Sequence, residues 1–223
     1  MPSHTMNFTQ RVVELNTTGV AHLTNHDNDR ALVCFSSALR IMSSVCNSSE
    51  GNQQLSDRTT RPNNTTTSRI VPLNLNRSVP VTMRVSPPSS TDFHCIKTTY
   101  SHAFLLSSET EETYETASLY SAILIFNYAL SLHQRGDEVS QHRAAMLYEH
   151  CLEILGTIND CFDCDAIATE ALENVADIRY KQGDLVGLRC VVDMLFQLNL
   201  KKIVFNQNGE EEGAACQRIA PAA

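Results

Sequence analysis

Apolar positions recur at helical spacing from Phe8 to about Asn25 and again from Asp29 to about Val45, on either side of the polar stretch Asn25-His26-Asp27-Asn28. Two amphipathic runs joined by so short a turn predict an antiparallel helix hairpin. From Asn47 to about Thr91 Ser, Thr, Asn, Arg and Pro dominate, with runs such as NNTTTS and SPPSST, and few residues are able to nucleate a core. This stretch is expected to be largely disordered. Arg69 to Val85, with alternating apolar Val79, Val81, Met83 and Val85, and Phe93 to Leu106 are expected as extended segments laid on helices. Pro72 and Pro80 each remove a ladder donor, which points to edge or nonregular placement.

Helical periodicity then resumes. Ser108 with Glu111 has the spacing of a capping box, and Glu109, Glu111, Glu112 and Glu115 suit the positive end of a helix running to about Arg135. Further helices are expected over Ala144 to Leu155, Ala166 to Gln182 and Leu185 to about Lys201, six in all, with Asn159 to Asp165 as a connection and a frayed or weakly helical tail from Asn206.

A spacing template recurs along these helices. In Ala171 to Leu195, taking Ala176 as reference, Leu188, Val192 and Leu195 follow at 12, 16 and 19 positions; from Gly19 the same steps reach Ala31, Phe35 and Ala38. From Ala129 they reach Ala144, Tyr148 and Cys151 once three extra residues are allowed. Short side chains at most of these positions let two helices joined by a short turn approach closely. The third copy departs, with Leu188 and Leu195 in place of small residues.

Large, small, aromatic and small positions in this order resemble the tetratricopeptide repeat (TPR), a pair of antiparallel helices that stacks with its neighbours. Leu15, Ile125 and Leu172 stand at the large leading position, His22, Leu132 and Arg179 replace the first aromatic, and the closing Pro is missing from all three copies. The alternative reading of the same residues is three unrelated amphipathic hairpins. The resemblance implies an all-α chain, a short α-solenoid of three TPR-like pairs with a long Ser/Thr/Asn/Pro-rich insertion after the first. The expected organisation is 1–46 for the first pair, 47–108 for the insertion, 109–202 for the second and third pairs, and 203–223 for a flexible acidic tail. Loop-closure entropy grows only logarithmically with length, so the insertion does not stop the first pair docking on the second.

Stacked pairs leave a concave face lined by the first helix of each, where partners of such repeats bind. By register that face takes Asn16, Val20, Asn127, Leu130, Asn174, Asp177 and Lys181. In chaperone adaptors of the family, Lys, Asn and Arg at five positions of the first helices hold a peptide carboxylate. They correspond here to Asn16 and Val20, Asn127, and Glu170 and Asn174; only Asn127 matches, and Glu170 would repel a carboxylate.

Charge adds to this picture. Between Asn47 and Ser108 six basic residues oppose three acidic ones, a local +3 that leaves −11 for the rest of a chain whose net charge is −8. An acidic body does not suit a phosphate backbone, so no nucleic acid is expected; a protein or peptide partner, basic or neutral, is. No apolar run approaches the ~20 residues a bilayer span needs, and no membrane association is expected. The opening MPSHTMNFTQRVVEL lacks the features of a secretory signal, so a cytoplasmic or nuclear location is expected, with free thiols and unused Asn-x-Ser/Thr sequons.

Reactive constellations are sparse. Cys161-Phe162-Asp163-Cys164 has half-site spacing, with His150 and Cys151 nearby, but no second ligand pair and no strand-helix redox context. Phosphate loops, nucleophile elbows and H-E-x-x-H are missing. The expectation is a noncatalytic protein-interaction module without metal or cofactor. Two other readings stand beside it: a phospho-regulated adaptor whose basic insertion masks the acidic groove, and a cysteine-based zinc or redox protein. The terminal repeat lacks a polar capping helix, and its outer apolar face is expected to pair two copies as a homodimer.

Overall fold

The computed structural model describes residues 8–50, 78–82, 100–106, 114–158 and 162–216. Six helices occur among them: α1 (Phe8–Thr24), α2 (Asn28–Glu50), α3 (Tyr114–Arg135), α4 (Glu138–Gly156), α5 (Phe162–Lys181) and α6 (Leu185–Cys216). A short antiparallel ladder of β1 (Ser78–Thr82) and β2 (Tyr100–Phe104) lies between α2 and α3 in sequence. The capping box expected at Ser108 and Glu111, Cys161, and the stretches 51–77 and 83–99 fall outside the described residues. Among the described residues no helix is long and apolar enough to cross a membrane. The chain divides into two compact units, Met1–Ala171 and Leu172–Ala223.

In the first unit neighbouring helices pack in succession, α1 on α2, α2 on α3 and α3 on α4, while β1 lies on α1 and β2 on α3. The physical centre is α3, which is buried almost all round from Leu119 to Gln134. A helix without a polar face is stable only when covered on several sides, and here α2, α4 and β2 cover it.

The three helix pairs share one turn. His26, Gly136 and Gly183 adopt left-handed backbone with φ of 58, 74 and 70°, and each stands seven residues after its reference residue, Gly19, Ala129 or Ala176. Their N–H groups donate to the carbonyl three residues back, at Leu23, His133 and Tyr180. In the first and third pairs the next N–H, of Asp27 and Asp184, reaches the carbonyls of His22 and Arg179, which completes a Schellman ending. An aspartate follows the left-handed residue every time: Asp27, Asp137 and Asp184 accept through Oδ1 from the backbone N–H three residues on, at 3.4, 2.9 and 2.9 Å. Each aspartate thus caps the next helix by satisfying one of its orphan donors.

Close approach of the first pair centres on Gly19, which lies against the Phe35 ring. In the second pair the Tyr148 ring sits against Phe126 and His133, three residues before and four after Ala129, with centroids 5.3 and 6.2 Å apart. The three extra residues are helical and fall between Asp137 and Ala144. They add about 300° of rotation, nearly one turn, so Ala144, Tyr148 and Cys151 still face inward and are fully buried.

The third pair differs from the expected phase. Val192 is 50% exposed, whereas its neighbour Val191 is only 8% exposed. Val191 stands 15 residues after Ala176, the offset at which Ala144 follows Ala129, so α6 follows the phase of α4 rather than that of α2. It also continues to Cys216, well beyond Lys201, since no proline interrupts the chain before Pro221.

Candidate functional site

A buried polar constellation of the first unit is built on two asparagines facing each other from α1 and α3. Asn16 and Asn127 are both fully buried, and their carboxamides meet through Asn127 Nδ2 donating to Asn16 Oδ1 at 2.9 Å. A buried amide group left without a partner costs about 1–3 kcal/mol, which favours asparagines inside a protein that meet one another.

Their partner is the main chain of Phe104, at the end of β2. The Phe104 N–H donates to Asn127 Oδ1 at 3.0 Å, and the Phe104 carbonyl accepts from Asn127 Nδ2 at 2.8 Å and from Asn16 Nδ2 at 3.0 Å. Engaging the N–H and C=O of one residue is what a neighbouring strand does in an antiparallel ladder. The Asn127 carboxamide therefore completes the outer edge of β2 as a third strand would. No part of this recognition depends on which side chain residue 104 carries.

The clasp also explains how a proline fits in β1. Because both main-chain groups of Phe104 point away from β1, Phe104 and its partner Ser78 form a non-hydrogen-bonded pair. Two residues along, His102 and Pro80 fall in the same class by alternation. The N–H that Pro80 lacks would have faced away from β2, so no ladder bond is lost.

Side chains on β2 add shape and charge. The Phe104 ring meets Phe126 edge-on at 5.0 Å. On the same face of the strand His102 Nδ1 lies 3.0 Å from Glu170 Oε1. Ala103 is fully buried, and Leu106 just past the strand nearly so.

Of the residues expected on a concave face, Asn16 and Asn127 come together in this clasp, and Val20 and Leu130 are buried with them in the first unit. In the second unit Asn174 is buried, while Asp177 and Lys181 pair with each other one helical turn apart at 2.6 Å. Phe104, His102 and the three capping aspartates went unrecognised in the sequence. The aspartates carried a usable signal, since each stands eight residues after its reference residue.

The buried thiols are quiet. Burial pushes the Cys151 thiol up to about 12, and its Sγ contacts the Ala122 carbonyl at 3.3 Å, so it remains protonated at neutral pH. Cys34 is raised by burial as well, and Cys164 is buried. Among the described residues no group of three or more His, Cys, Asp or Glu is placed to hold a metal ion.

Comparison with known proteins adds no relative: the chain matches no family model, no curated protein and no solved structure.

Proposed function

We propose that this chain is a noncatalytic protein-interaction module, a short solenoid of TPR-like helix pairs that holds extended polypeptide by its main-chain groups. One observation carries the reading: Asn16 and Asn127, contributed by the first helices of two successive pairs, together bind both backbone groups of Phe104. Such a device grips any extended segment that can reach it, and flanking side chains supply selectivity, the division of labour seen wherever a strand is added to a protein surface. The shared turn and cap of the three pairs support a common repeat.

The masked-groove reading gains support from the same contact, because residue 104 belongs to the stretch inserted between the first and second pairs.

Co-purification of the full chain with a protein partner that comigrates through gel filtration is the expected result. A chain that runs alone from every lysate fraction, together with turnover of a small substrate by the purified protein, would reverse the reading.

A further inference from the structure

β2 has the features of a ligand that happens to be covalently attached. At Phe104 its outer edge is bonded by the side-chain amides of two helices. Among the described residues its only strand partner is β1, five residues long, and a two-stranded ladder of that size is marginal by itself.

We propose that residues 102–106 are an internal ligand, and that the site they fill recognises partner proteins through an extended segment of the pattern donor-small-aromatic-x-aliphatic. This rests on the interaction-module reading above and names its partner class. Each position follows from a contact. Glu170, partly buried opposite His102, selects an imidazole, ammonium or guanidinium at the first position. Full burial of Ala103 selects a short side chain at the second. Edge-on packing against Phe126 selects an aromatic ring at the third, and the asparagine pair clasps that residue's backbone. Leu105 is half-buried and leaves the fourth position open, while buried Leu106 selects an aliphatic residue at the fifth.

Attachment has a consequence for affinity. A tethered segment acts at an effective concentration of roughly millimolar, and a free competitor binds only the fraction of molecules in which the site is vacated. Wild-type protein should therefore bind such a partner weakly, and loosening the internal segment should strengthen binding.

The test uses the full chain and a fluorescent peptide of residues 99–107, TYSHAFLLS. Phe104→Asp, which expels the internal segment, is expected to bind the peptide at least tenfold tighter than wild type. Adding Asn16→Ala to that variant, or replacing the peptide's Phe by Ala, is expected to weaken binding at least tenfold. A folded Phe104→Asp protein that binds no better than wild type overturns the proposal. So does a partner that binds both proteins equally and ignores Asn16→Ala, although that result leaves the interaction-module reading standing. Should Phe104→Asp fail to fold, hydrogen exchange of the wild-type chain decides. Exchange of the Phe104 amide at least tenfold faster than that of Phe126 supports an exchangeable ligand, and equal protection shows a permanent part of the core.

Discussion

Gly19 and Phe35 lie in direct contact across the first helix pair: a β-carbon on Gly19 would stand 2.5 Å from Phe35 Cε1 and 2.8 Å from Cζ. Neither helix is able to retreat, because Phe35 is fully buried and α2 also packs on α3. Gly19→Val is expected to destabilise the protein by about 1–3 kcal/mol, the usual cost of overpacking. Phe35→Leu in the same chain should recover part of the loss, so a double-mutant cycle by urea denaturation should give a favourable coupling. Simple additivity would mean that the two residues do not constrain one another.

Removing the Asn127 side chain leaves the Phe104 N–H without its acceptor and costs its carbonyl one of two donors. Asn127→Ala should therefore lower stability by about 1–3 kcal/mol for the orphaned N–H, before any loss of packing. Asn127→Asp should be worse at neutral pH, since a carboxylate would then face the Phe104 carbonyl and Asn16 Oδ1. Ranking the two variants by thermal melting checks the direction of the hydrogen bonds.

His26 holds the left-handed position that glycine holds in the other two turns. An L-residue there is strained by about 1–2 kcal/mol, while glycine gives back about 0.5–1 kcal/mol through its freer unfolded chain. His26→Gly is expected to stabilise the protein by up to about 1 kcal/mol. A lower melting temperature would show that the His26 side chain contributes more than its backbone costs.

Hydrogen bonds from Ser140, its side chain first and its backbone N–H second, hold the Asp137 carboxyl below its ordinary value of 3.8, with a further contribution from Arg135. A carboxyl depressed on folding contributes stability that is complete above the unfolded value and is lost as pH falls through the folded one. Asp137→Asn retains a capping oxygen without the charge. The stability difference between wild type and this variant should stay constant at neutral pH and shrink below pH 3.8. A difference that persists unchanged under acid would place the capping energy elsewhere.

Cys151 should resist alkylation in the folded protein, while exposed Cys190 reacts. Mass spectrometry after brief iodoacetamide treatment at mildly alkaline pH separates the two. The same burial makes a pH prediction. Unfolding frees a thiol of ordinary value 9.0 from a site where it ionises only near 12, so this residue's contribution is intact below pH 9.0 and declines as pH rises toward 12. Cys151→Ala should flatten that alkaline decline.

Local chemistry already determines much of this molecule in the sequence. Short residues at Gly19, Ala31, Ala129 and Ala144, turn glycines at 136 and 183, and helical periodicity define three hairpins, because close approach and left-handed turns each admit few residue types. Pro80 likewise points to edge placement of its strand, since it lacks a ladder donor. The phase of α6 was not legible: Val191 and Val192 are the same residue type one step apart, and only packing decides which faces inward. Nor was the clasp. Asn16 and Asn127 are 111 residues apart, and each alone reads as a polar residue on a helix face. What unites them is the main chain of Phe104, and a backbone contact leaves no mark on the residue type it selects. Tertiary structure alone brought the three together, since only burial forces two amides and one peptide group to satisfy each other.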